Sequence, residues 1–117
     1  MTRDPDPRLA ALSAVEVFCE SRVPAELRGE LRLECSRRGN SITIVERRPP
    51  WNPELIGTGW TSMKVAQLRY DSSSKRWTLY CRDRNERWWP YDGVPPSHGL
   101  DPLLAEVDAD PTGIFWG

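Results

Sequence analysis

The sequence predicts an α+β domain: a five-stranded antiparallel sheet, built from a hairpin and a three-strand meander, with an N-terminal and a short C-terminal helix on its apolar face. Three observations predict it. Helical apolar spacing is confined to the two ends of the chain, two-residue alternation fills residues 31–45 and 65–91, and clusters of Gly, Asn, Ser and Asp punctuate those runs.

Asp6-Pro7 supplies an N-cap and a proline at the first helical position, and Leu12, Val15, Phe18 and Cys19 follow at helical spacing. A helix from about 7 to 21 results. Val23-Pro24 ends it, because the residue before a proline is pushed out of the helical region, and PAELRG adds one turn closed by Gly29. In LRLECSRRGNSITIV a two-residue turn at Arg38-Gly39 sets Cys35 against Ile42 and Leu33 against Ile44 on one face. Glu34 then meets Thr43 and Arg32 meets Val45 on the other, with Glu46 across from Leu31 at the apolar rim.

Pro49 to Ser62 holds too many Pro and Gly for a regular element, yet Trp51 and Trp60 predict an ordered loop, either functional or a lid over one end of the core. In the meander, pairing Tyr70 with Trp77 sets Leu68 against Leu79 and Ala66 against Cys81. A turn at Arg84-Asn85 then sets Cys81 against Trp88 inside and Tyr80 against Trp89 outside, with Arg82 opposite Arg87. Two like charges face to face call for a carboxylate or an external anion. Asp101-Pro102 repeats the cap-and-proline signal for a short helix carrying Leu103, Leu104 and Val107, and the apolar TGIFWG should dock on the body. The expected core is Leu12, Val15, Phe18, Leu31, Leu33, Ile42, Ile44, Leu68, Trp77, Leu79, Trp88, Leu104 and Val107.

At 117 residues, 38% hydrophobic and 28% charged, the chain reads as a single domain over 1–117, with residues 1–6 as a disordered tail. No apolar run has the length of a membrane span, and the polar start TRDPDPR does not read as a secretory signal. A cytoplasmic setting is expected, with no membrane partner. Cys19, Cys35 and Cys81 are odd in number and widely spaced, so they read as small buried hydrophobes rather than disulfide or zinc ligands. His98, in PPSHG, reads as a surface loop residue, and no cofactor is implied. Charge is unevenly spread: residues 22–87 hold 14 basic and 8 acidic side chains, while both ends are acidic. Either an anionic partner meets the basic middle, or the acidic ends fold back to neutralise it.

The outward face of the meander collects Gln67, Arg69, Tyr80, Arg82, Arg87, Trp89 and Tyr91. Rings and guanidinium groups of this kind serve protein interfaces, where Trp, Tyr and Arg are hot-spot residues, and single-stranded nucleic acid, where rings stack on bases and Arg neutralises phosphate. The structural alternative is that Phe115-Trp116 or the 49–62 loop covers the face within one chain. A second constellation, Glu46-x-Arg48 with Glu34, Glu16 and Glu20, resembles the acidic sets that hold a divalent metal in nucleases, with Arg48 where a lysine is usual. A rim salt bridge of Glu46 to Arg48 or Arg69 explains it more simply. Alternating charges in Arg82 to Arg87 read as a solvated hairpin tip, and the GTG at 57–59 lacks the rest of a phosphate loop.

ESRVPAELR, TIVERRPPW, LRYDSSSKRWTLYCRDRN and LLAEVDADPTGIFWG resemble the small bacterial family catalogued as domain of unknown function three thousand and twenty-four, from about Val15 to Gly117. The family's fourth-strand motif has Trp where this chain has Cys81, and often Phe-His at Trp88-Trp89. The resemblance implies a bacterial cytosolic setting and carries over no catalytic or binding residues. The expected function is a non-catalytic binding module with no catalytic or metal-ligating residue. It would act through Arg69, Tyr80, Arg82, Arg87, Trp89 and Tyr91 on a protein partner or a second copy, alternatively on single-stranded nucleic acid, with a metal-dependent nuclease-like enzyme as the minor alternative.

Overall fold

A computed structural model describes residues 6–50 and 59–116. Helix α1 (Pro7–Arg22) starts at Asp6, whose carboxylate accepts from the Arg8 main-chain N–H at 2.9 Å and is gripped by the Arg8 guanidinium through Nε and Nη2. It stops at Val23, in extended conformation ahead of Pro24, and a single turn of 3-10 helix follows at Ala25–Leu27. Ala11, Val15 and Cys19 recur every four residues and form the buried stripe of α1.

Five strands follow: β1 (Arg32–Arg38), β2 (Ser41–Arg48), β3 (Thr61–Asp71), β4 (Arg76–Arg82) and β5 (Trp88–Pro90). Each pairs antiparallel with the next in the order β1-β2-β3-β4-β5. Helix α2 (Asp101–Ala109) begins one residue earlier than the cap signal implies. Asp101 lies in its first turn, and Leu100 precedes it without a side-chain cap. Among the described residues no helix is long and apolar enough to cross a membrane.

The inward sides of β2, β3 and β4 meet the two helices. Val15, Ile42, Ile44, Val65, Leu68, Leu79, Leu103 and Val107 are fully buried there, each contributing about 1.5–3 kcal/mol by leaving water. Leu12, Phe18 and Leu33 pack at its margin. A bulge between Ile44 and Val45 lets β3 bury Val65 and Ala66 in succession, which strict alternation forbids. The C-terminal segment docks as expected: Phe115 is buried against Tyr91, with ring centroids 5.0 Å apart.

Two registers differ from expectation. The β1–β2 turn is Gly39-Asn40, with Arg38 opposite Ser41, so Cys35 faces Ile44 and Leu33 faces Glu46. Gly39, at φ +61°, takes the first central position, where a type II′ turn needs its glycine. The slip of two residues keeps every side chain on its expected face. The β4–β5 connection, in contrast, slips by one. Glu86 adopts φ +62° and extends the loop by a residue, so Arg82 stands opposite Trp88, Cys81 opposite Trp89 and Tyr80 opposite Pro90. A one-residue slip reverses faces. Trp88 therefore leaves the expected core for the outer face, and the Arg82–Arg87 pair does not form.

Candidate partner-binding face

Alternation on each strand places Thr43, Gln67, Tyr80 and Pro90 in one row across the outer face of β2 to β5. Gln67 Nε2 donates to Thr43 Oγ1 at 2.9 Å, and its Oε1 accepts from Arg69 Nε at 2.7 Å. That bond holds the Arg69 guanidinium over the Tyr80 ring, its Cζ 3.9 Å from the ring centroid. Further along, Arg82 Nε donates to the Lys64 main-chain carbonyl, and Lys64 Nζ lies 5.9 Å over Trp88. On the β1 side Arg32 stacks 4.4 Å over Trp60, and Arg47 approaches Glu34 at 3.4 Å.

Charge pairing is uneven among the arginines: on the outer face Arg47 meets Glu34, and away from it Arg28 and Arg37 bond main-chain carbonyls. Arg8, Arg22 and Arg48 elsewhere meet the carboxylates of Asp6, Asp108 and Glu46. On the outer face Arg69 bonds a neutral amide and Arg82 a main-chain carbonyl. Among the described residues neither guanidinium has a carboxylate within ion-pair distance. The acidic C-terminal segment does not supply one, because Phe115 enters the core and the Trp116 indole donates to the Val107 carbonyl beside Arg22, on the helix side.

Of the residues expected on the face, Gln67, Arg69, Tyr80 and Arg82 are there together. Tyr91 is not, and this corrects the expectation. The one-residue slip turns its ring toward Phe115, its hydroxyl donates to Glu106 Oε1 at 3.0 Å, and burial, followed by that neighbouring carboxylate, raises its pKa. Gly93 makes room for this ring, since a Cβ there would lie 2.4 Å from Tyr91 Cε1. Trp89 also changes side, standing on the register of Cys81 with 53% of its surface exposed at the sheet edge. Its indole N–H donates to Asp83 Oδ2 at 2.9 Å. Arg87 sits in the exposed loop, where its main-chain N–H donates to Asp83 Oδ1. Asp83 thus organises the hairpin tip, and the Trp89 bond, then the Arg87 N–H, lower its pKa.

Trp88, Lys64, Trp60, Arg32 and Arg47 belong to the face without having been singled out. Strand alternation alone marks Arg32 and Arg47 as outward. Trp88 needed the loop length, which no Gly or Asn at 86 announces. Trp51 and the GTG stretch up to 58 lie outside the described residues. The nuclease-like carboxylates are split, with Glu34 outward beside Arg47 and Glu46 inward, nearly buried and 2.6 Å from Arg48 Nε. Among the described residues no group of three or more His, Cys, Asp or Glu side chains is placed to hold a metal ion. His98 is exposed, with Nδ1 2.8 Å from the Lys75 carbonyl.

Comparison with curated proteins and with solved structures found no match. A family model spans residues 4–117, which takes in every described residue, and by that match the chain belongs to the family described as Domain of unknown function (DUF3024).

Proposed function

We propose that the protein is a non-catalytic binding module whose outer sheet face takes an anionic chain, and that single-stranded nucleic acid fits that face best. The observation that carries the reading is that Arg69 and Arg82, both on the outer face, are held by neutral groups and have no carboxylate within ion-pair distance among the described residues. Orienting a guanidinium without neutralising it leaves its charge for phosphate. The planar Arg69 guanidinium, held over Tyr80, also offers a surface for an unpaired base to stack on, a contact worth about 1–3 kcal/mol per base.

The test is binding of a fluorescent oligothymidylate and its RNA counterpart across a salt series. Counterion release predicts a linear fall of log affinity with log salt, with a slope near −0.7 for each phosphate contacted. The Arg69→Ala/Arg82→Ala double variant should bind more weakly and with a shallower slope, while Arg8→Ala should match the parent. Absence of binding at low salt, or binding indifferent to salt, contradicts the reading.

A protein partner is the second reading, and the exposed Trp89 favours it. Its indole projects from the edge strand and is fixed by Asp83, as an interface anchor would be. Loss of partner capture in Trp89→Ala with oligonucleotide binding intact would separate the two.

A further inference from the structure

We propose that Cys19 and Cys35 form a reactive dithiol that hydrogen peroxide converts into an intramolecular disulfide tying α1 to β1. The site lies on the helix side and is independent of the outer face. Cys19 ends the buried stripe of α1, and Cys35 points inward from the edge strand β1, opposite Ile44. Packing of α1 on β1 brings both cysteines into the wall of one groove of about 320 Å³, together with Glu16, Glu20, Leu33 and Glu34. Neither cysteine is in a disulfide; Cys19 is buried and Cys35 partly exposed. Interaction with the neighbouring thiol, then burial, raises the Cys19 pKa, and the same interaction lowers that of Cys35. Cys35, the more accessible sulfur, is the one peroxide reaches, and the direction of its shift agrees with its acting as the nucleophile.

The chemistry balances with peroxide as the only oxidant. The Cys35 thiolate attacks one peroxide oxygen, the O–O bond breaks, and the leaving hydroxide takes up a proton to become water. Cys35 is now a sulfenic acid. The Cys19 sulfur attacks that sulfur, the S–O bond breaks, and the departing hydroxide takes the Cys19 proton as a second water. Two thiols lose two electrons in total and peroxide gains them. Glu16, Glu20 and Glu34 around the groove repel anionic oxidants such as glutathione disulfide, which leaves a small neutral peroxide as the matching class. Cys81 is an internal control, buried on β4 with β2 and β3 between it and β1.

The experiment treats the intact protein with hydrogen peroxide, alkylates the remaining thiols under denaturing conditions and maps peptides by mass spectrometry. Expected are a loss of two hydrogens, a cross-linked peptide joining residues 19 and 35, one alkylated thiol at Cys81, and reversal by dithiothreitol. Thermal melting of the oxidised form should lie above that of the reduced form, since the link joins two packed elements. Cys81→Ser should oxidise as the parent does, whereas Cys35→Ser should lose at least tenfold in rate and form no link. Over-oxidation of Cys35 with Cys19 still a thiol overturns the proposal, as do a link that includes Cys81, cross-links only between chains, or no oxidation where free cysteine is consumed.

Discussion

The Arg69 guanidinium lies 3.9 Å above the Tyr80 ring, while its Nε is held by Gln67. Stack and hydrogen bond together fix a planar cation on a sheet face where the described residues give it no carboxylate. Arg69→Lys keeps the charge but loses the plane and the Nε bond, and so separates geometry from electrostatics. Oligonucleotide affinity should drop several-fold in Arg69→Lys and further in Arg69→Ala. Stability in denaturant should change by only about 0.5–1 kcal/mol, the worth of a part-exposed cation–π contact.

The β4–β5 loop decides which aromatic residues share that face, and it turns on Glu86 at φ +62°. A left-handed conformation costs an L-residue about 1–2 kcal/mol, partly offset by the greater freedom glycine has in the unfolded chain. Glu86→Gly should therefore stabilise the protein by about 0.5–1 kcal/mol in urea unfolding. Glu86→Val should destabilise it, because a branched Cβ is worse in that region.

This loop also marks the limit of what the residues disclose before folding. Alternation placed Tyr70 against Trp77 and Leu68 against Leu79 correctly, because Asp71 and Arg76 close a loop with turn-forming serines. The β1–β2 register was readable only to within two residues, since shifting Gly39 between turn positions keeps the apolar face intact. Past Arg82 a charged residue in the left-handed region gives no compositional sign of itself, and one extra residue exchanged the faces of Trp88 and Trp89 and turned Tyr91 inward. The Val65–Ala66 bulge was hidden for a similar reason: both residues are apolar, and the buried pair breaks alternation without a glycine. Apolar TGIFWG foretold its own docking, but not the role of Asp110.

Asp110 ends α2 at φ +43° and its two carboxylate oxygens accept from the main-chain N–H groups of Phe115 at 3.0 Å and Trp116 at 3.1 Å. It thereby folds the C-terminal segment back onto the helix. Asp110→Ala should lose about 1–3 kcal/mol from the orphaned amides and release the Trp116 indole, read as a red shift in fluorescence. Asp110→Gly should lose less, because it retains the left-handed turn.

The α1 cap gives a pH dependence of defined sign. The Arg8 side chain, then its main-chain N–H, lowers the Asp6 pKa from 3.8 to about 2. A folded pKa below the unfolded one means that ionised Asp6 stabilises the fold above about pH 4, and that this contribution is lost as pH falls toward 2. Thermal melts between pH 5 and 2 should show a fall that is shallower in Asp6→Asn, which keeps a capping oxygen without the titration. Equal slopes for both proteins would contradict this assignment.

The most direct measurement of the outer-face account is an amide and indole chemical-shift map recorded while oligothymidylate is added at low salt. The account predicts perturbations at Thr43, Gln67, Arg69, Tyr80 and Arg82 and at the Trp88 indole, with α1, α2 and the Trp89 indole unmoved. Shifts confined to the helices or to Trp89, or none at concentrations that saturate binding, would contradict it.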